Sequence, residues 1–162
     1  MSTDPYALFK TLMQRPDIDQ ATAQYQQLND ELLQALTAAV PSLTPWGQLQ
    51  GETAAACGSD YPGIGDNGQT VDLPIYVAHV SVTDAQWELA LTTIGTVAAK
   101  YGFDEKPQRL HDSSGQHDAI FHNVHDDGSI TLDSAESIVV GVSVGCHLTA
   151  AAKQRGSLSP TP

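Results

Sequence analysis

From Ser137 to His147 the chain reads SIVVGVSVGCH, with Ile138, Val140, Val142, Val144 and Cys146 at every second position. That is the spacing of one face of a β-strand. A strand with so continuous an apolar face has to be covered on that side, so the rest of the chain must supply neighbouring strands and a layer to pack on them.

The neighbours are found just upstream. Beyond Phe103 the pattern keeps period two, and strands are expected near Gln108 to Asp112, His117 to Val124 and Ser129 to Asp133. Asp127-Gly128 predicts a two-residue hairpin turn between the last two of these. A further strand is expected from Val71 to Val82, with Leu73, Ile75 and Val77 on one side and Tyr76, Ala78 and Val80 on the other, although Pro74 interrupts its hydrogen bonding.

The covering layer has period three to four. Asp4-Pro5 starts a short helix to about Met13, with Leu8, Phe9 and Leu12 as its apolar side, and Arg15-Pro16 breaks it. Asp17 opens a longer helix striped by Ile18, Ala21, Tyr25, Leu28, Leu32, Ala35 and Ala39, which Pro41 and Pro45 end. Thr83-Asp84-Ala85-Gln86 is a capping box, Val82 can staple onto Trp87, and Gly102 supplies the stop. Between Trp46 and Val71 the signals weaken: Thr53, Ala55 and Cys57 alternate, and GSDYPGIGDNGQ reads as an irregular loop. Its glycines are not a phosphate loop, since no Gly-Lys-Ser/Thr ending and no nearby base accompanies them. The polar, proline-bearing tail from Lys153 is expected to fray.

These elements predict a single α+β domain over residues 1–152, with a helical part at 4–40 and a flexible tail at 153–162. Two amino-terminal helices precede a mainly antiparallel sheet of five or six strands, with one long helix, 83–101, on a face. At 162 residues the chain buries enough core to need no metal or cofactor to fold, and none is expected.

Charge excludes some partners. Seven Lys and Arg face nineteen Asp and Glu, and no Lys or Arg stands between Arg15 and Lys100. A chain at −12 repels nucleic acid and anionic headgroups, whose binding needs phosphate-neutralising cations. No apolar run is long enough to span a bilayer. The opening MSTDPYALFK has neither the basic nor the apolar region of a signal peptide, which taken alone points to the cytoplasm. A Met directly ahead of a helix cap equally fits a chain from which an export signal has been trimmed.

The segment HDSSGQHDAIFHNVHDDG, residues 111–128, holds four of the six histidines and four aspartates. It raises the alternative of a metal-dependent or hydrolytic enzyme using His117, His122, His125 and Asp126. With a two-residue turn at Asp127-Gly128, His122 would face Asp133, while His125 and Phe121 would share a side with Ile130 and Leu132. His117 and His122 then diverge, and three ligands do not meet at one point as a metal requires. His79 reads as a core or rim histidine. No G-x-S-x-G elbow frames a serine, and the adjacent Cys146 and His147 point apart along a strand. A third alternative is a small-ligand or lipid carrier with a pocket rimmed by Trp46, Tyr61 and Tyr76.

Cys57 and Cys146, far apart and each in a segment of strand character, fit a disulfide or two free thiols equally well by count. Here the chain as a whole resembles a family. The segments RPDIDQATAQYQQLNDELLQALTAAVPSLTPW, the isolated Cys57, VDLP, TIGTVAAKYGF and VGVSVGCHLTAAAK are similar to the mature portions of actinobacterial lipoproteins of the mycobacterial LppA/LppV kind, over about residues 7 to 155. The resemblance implies a Cys57–Cys146 disulfide and an exported chain tethered outside the membrane by an acylated cysteine, which is not in this sequence. It implies no enzyme activity. The resulting expectation is a non-enzymatic cell-envelope module with a binding or scaffolding role, whose partner is an envelope protein or a small ligand.

Overall fold

The computed structural model describes residues 3–158. Asp4 accepts the amide of Tyr6 and starts α1 (Pro5–Met13), whose Leu8, Phe9 and Leu12 are buried. Asp17 and Gln20 exchange the two bonds of a capping box at the head of α2 (Ile18–Ala39), which buries Ile18, Ala21, Tyr25, Leu28, Asn29, Leu32 and Leu36. Then come β1 (Gly47–Gln50) and β2 (Thr53–Ala55), two single 3-10 turns, β3 (Gly68–Asp72) and β4 (Ile75–Ala78). The capping box at Thr83 opens α3 (Asp84–Ala99), and Gly102 follows it at φ 93°. β5 (Gln108–Ser113), β6 (Gln116–His122), β7 (Ser129–Ser134), β8 (Ile138–Leu148) and α4 (Ala150–Arg155) complete the described chain.

The class is α+β, with an antiparallel sheet in the order β1-β4-β8-β7-β6-β5, and β3 bound to both β2 and β8. Among the described residues eight strands stand where five or six are expected, for two reasons. The expected strand from Val71 to Val82 is divided at Leu73-Pro74, because Pro74 has no N–H to give and the ladder resumes only at Ile75. In addition, Gly47–Gln50 pairs with β4, although all four residues are exposed and no alternation marks them in the sequence. From Gln50 to Ala55 the pairing with Ile75 to Thr70 keeps one register, so β1 and β2 form one interrupted edge row.

β8 is the centre of the sheet. It pairs with β3, β4 and β7, and its Ile138, Val140, Val142 and Val144 face the core that α2 and α3 share with the sheet. Its far end serves a second, smaller core of Leu8, Phe9, Leu12, Ile64, Cys146, Leu148 and Ala152. The register of β8 with β3 shifts between the Gln69 and Val71 pairs, leaving an extra residue around Gly145 and Cys146. At that irregularity Cys146 is bonded to Cys57, 89 positions away. A side chain at Gly68 would sit 2.8 Å from the Cys57 sulfur, so β3 needs glycine where it passes the bridge.

Two expectations are corrected. The chain from Lys153 does not fray at once, because Thr149 caps a helix that reaches Arg155 and Gly156 closes it at φ 74°. Lys153 also donates to the Arg15 carbonyl at 2.5 Å. The expected flexible tail at 159–162 lies outside the described residues. The β6–β7 connection is not a two-residue turn. The ladder ends at His122–Ser129, and the six residues from Asn123 to Gly128 form a loop closed by Asp127 N–H to Asn123 O and Asn123 N–H to Gly128 O, both 2.8 Å.

The disulfide closes a long loop, and chain entropy assigns it about 4.6 kcal/mol. A Cys57→Ser/Cys146→Ser variant is expected to lose most of that in urea unfolding, while keeping the far-ultraviolet signature of the sheet.

Candidate functional site

Where β8 bulges, the loop after β6 leans on it. A methyl group at Gly145 would lie 1.9 Å from the Asp126 carbonyl, so only glycine permits this approach. Arg15, in the break between α1 and α2, reaches into the junction with 12% of its side chain exposed. Its Nη1 donates to the Cys146 carbonyl at 2.7 Å, and to the Asp126 carbonyl and the Asp127 carboxylate at 3.3 Å each. One guanidinium thus joins the helical layer, the β6–β7 loop and the bulge.

Asp126 faces inward. Tyr25 Oη, on α2, donates to its carboxylate at 2.7 Å, and the Gly128 amide donates to the same group at 2.9 Å. Asn123 Nδ2 reaches Tyr25 Oη at 3.3 Å and the Tyr101 carbonyl at 3.1 Å. Burial, then the Asp126 charge and hydrogen bond, push the Tyr25 phenol well above its usual range, so it stays a donor. Asp127, at φ 66°, turns outward to Arg15 and accepts from Tyr61 Oη. Burial and that hydrogen bond also raise the Tyr61 phenol. His147 is 1% exposed; its Nδ1 donates to the Pro16 carbonyl at 2.9 Å, and its Nε2 stands 3.9 Å from Asp126. Burial lowers its pKa, outweighing the pull of the Pro16 carbonyl and Asp126, which keeps the ring neutral.

Beside this network opens a pocket of about 400 Å³ lined by Cys57, Asp60, Tyr61, Thr70, Asp72, Asp127, Ser143, Val144, Gly145 and Cys146. The disulfide forms part of its wall. Ser143 donates to Asp72 at 2.7 Å, as Tyr61 does to Asp127, so two of its three carboxylates are already oriented by hydroxyls. The lining is rich in acceptors and carries no positive charge of its own. It can hold a group that donates hydrogen bonds or bears a cation.

The histidines that the enzyme alternative would bring together lie apart. His117 lies inward, between Asp84 and Asp112. His122 is exposed and faces Ser129, not Asp133. His125 is in the loop, outside the ladder, and pairs with Asp104 at 2.7 Å with both side chains exposed. His79 lies on the rim near Ser137. Among the described residues no three His, Cys, Asp or Glu are grouped so as to hold a metal. Of the enzyme candidates only Asp126 enters the network at β8. The three aromatic residues expected to rim one pocket separate as well: Tyr61 lines the disulfide pocket, Trp46 an open depression with Leu33, Gln34, Thr37 and Ala38, and Tyr76 a third with Gln26, Asn29, Asp30 and Glu52.

The register explains the errors. Because Asp126 and Asp127 are held by Tyr25, Arg15 and Tyr61, they leave the turn that their sequence favours, and the ladder shifts by four residues. An even shift preserves the faces, so Phe121 is still inward with Ile130 while His122 remains outward. Asp133 now faces Asp118. Burial and the neighbouring Asp118 carboxylate raise the Asp133 pKa. Sequence reasoning missed Arg15, Tyr25 and Asp127 as a unit; the signal was the isolation of Arg15 in an acidic stretch.

Comparison with known proteins adds a family and a fold. The sequence model of the LppA family, described as a lipoprotein confined to pathogenic Mycobacterium, matches residues 2–150. The crystal structure of LppA from Mycobacterium tuberculosis aligns with a TM-score of 0.69 at 15% identity, covering 95% of this chain and 92% of that one. A DUF4853 family protein from Actinomyces odontolyticus aligns at 0.49 and 17% identity, over 84% and 71%. No curated protein matches the sequence.

Two outcomes are expected. Tyr25→Phe removes a donor from a mostly buried carboxylate and should cost about 1–3 kcal/mol in urea unfolding. Asp133→Asn should stabilise by up to about 1 kcal/mol at neutral pH, since it relieves a cross-strand like-charge pair. A raised carboxyl binds its proton more tightly in the folded state, so the advantage should vanish as pH falls below that raised pKa.

Proposed function

The chain belongs to the LppA lipoprotein family, and from that premise we propose that it is a non-enzymatic module of the cell envelope, held outside the cytoplasmic membrane by a lipid anchor, that binds a small ligand at the disulfide-walled pocket. The observation that carries this reading is how that pocket is walled: the Cys57–Cys146 bond and the three carbonyl and carboxylate contacts of Arg15 tie its walls to the helices and the sheet at once. A preorganised cavity loses little freedom when it is filled, which favours binding.

The chemistry of the ligand follows from the lining. Asp60, Asp72 and Asp127 with the hydroxyls of Tyr61, Thr70 and Ser143 favour a compound that carries an amine or several donors and disfavour an anionic one. A disulfide as a structural wall also suits an oxidising compartment, in line with the exported location of a lipoprotein. The dispersal of His117, His122 and His125 into separate contacts speaks for binding over hydrolysis, since general acid–base catalysis needs its groups within reach of one reacting atom.

The test is a nitrogen-15 amide titration of the oxidised protein with a panel of small amines, amino sugars and matched anionic compounds. Saturable shifts at Asp60, Thr70, Asp127 and Ser143 with a cationic or polyhydroxyl compound, weakened at least about tenfold by Asp72→Asn/Asp127→Asn, are expected. Shifts confined to anionic compounds, or absent from these residues throughout the panel, would refute the reading.

A further inference from the structure

His117 occupies an inward position of β6, two before Ala119 and four before Phe121, which are core residues. Its ring lies flat on the indole of Trp87, with centroids 4.9 Å apart and planes 11° from parallel, and 7% of its side chain is exposed. Both ring nitrogens meet carboxylates: Nε2 is 2.9 Å from Asp84 on the first turn of α3, and Nδ1 contacts Asp112 on β5. A neutral imidazole has one N–H, so it can satisfy one of these acceptors and must turn a lone pair on the other. Only the imidazolium donates to both.

The same corner carries the other ties of the β5–β6 hairpin to α3. Asp84 accepts from the Gly115 amide at 3.0 Å and the Ser114 hydroxyl at 3.3 Å, both in the hairpin turn. Arg109 of β5 makes a two-pronged pair with Glu88 at 2.7 and 2.8 Å and reaches Asp112 at 3.4 Å. The charged groups facing His117 are therefore Asp84 and Glu88 from α3 and Asp112 and Arg109 from β5, while β7 offers the uncharged Ser134. Three carboxylates stand against one guanidinium, and a proton on His117 reduces the imbalance.

We propose that Asp84, His117 and Asp112 form a protonation latch that closes the β5–β6 hairpin over Trp87, and that loss of the His117 proton frees the hairpin tip and uncovers the indole. Trp87 Nε1 is buried with no hydrogen-bond partner among the described residues, so opening would hydrate it and offset part of the lost contact. Burial by itself disfavours the charged ring, but the hydrogen bonds and charges of Asp84 and Asp112 together outweigh it and raise its pKa. The Gly115 amide first, and His117 next, lower that of Asp84. The signs set a window. The His117 contribution is complete below the ordinary histidine pKa and is lost as pH rises through the raised one; the Asp84 contribution is lost as acid titrates its lowered carboxyl.

The experiment follows the His117 Cε1–H resonance of the intact oxidised protein across pH, together with tryptophan emission in a Trp46→Phe variant, where Trp87 is the remaining tryptophan. The expected His117 midpoint lies above the ordinary histidine value, and emission rises with that same midpoint as the quenching imidazolium disappears. Amide exchange at Gly115 to Asp118 should accelerate over the same range beyond the general base-catalysed rate. Asp112→Asn should lower the midpoint by about one pH unit, a tenfold loss of proton affinity. A His117 midpoint at or below the ordinary histidine value, or one unmoved by Asp112→Asn, would overturn the latch. Should Trp46→Phe fail to fold, the resonance and exchange measurements on the unaltered chain decide alone.

Discussion

The end of β8 is where the two halves of this fold are fastened, and the fastening depends on a ladder irregularity. An unbroken strand would spend the Cys146 carbonyl on a neighbouring strand; the register shift at Gly145 and Cys146 leaves it to Arg15, at 2.7 Å. The same residue carries the sulfur bonded to Cys57. One point thus receives a covalent tie from the loop before β3 and a charged tie from the α1–α2 break. The glycine beside it allows the β6–β7 loop to close down and present Asp126 to Tyr25.

Charge is used in the same economical way. Of seven basic side chains, Arg15, Lys100, Arg109, Lys153 and Arg155 are bound to carboxylates, backbone carbonyls or the Asn67 side chain. Arg15, Lys100, Arg109 and Lys153 each connect elements that are distant in sequence, and Arg155 ties the last helix to Asn67. The cations serve as internal fasteners, and the acidic excess is left to the surface and the pocket. A surface of that sign attracts cations and repels polyanions.

Sequence patterns of the right period were legible wherever one residue type had one role. The capping boxes at Asp17 and Thr83, the stripe of α2, the stop at Gly102 and the alternation of β8 all follow from local geometry that tertiary contacts reinforce. What could not be read were residues with two demands upon them. Asp127-Gly128 has the chemistry of a tight turn, but Arg15 and Tyr61 claim the carboxylate, and the loop lengthens to deliver it. Gly47–Gln50 is a strand only because β4 offers it an edge. Asp84 reads as the first residue of a helix and also binds a histidine 33 positions away.

The histidines show the distinction most clearly. Their density in sequence raised the alternative of a common centre, yet in the antiparallel hairpin neighbouring positions are sent to opposite faces, and His117 and His125 meet carboxylates while His111 meets Ser113 and His122 faces Ser129. His117 gains two carboxylates from elements that flank it in space, and His125 gains Asp104 from the segment after α3. A run of histidines on alternating strand positions is therefore better read as separate local contacts than as a metal centre, unless the strand register brings three of them to one side.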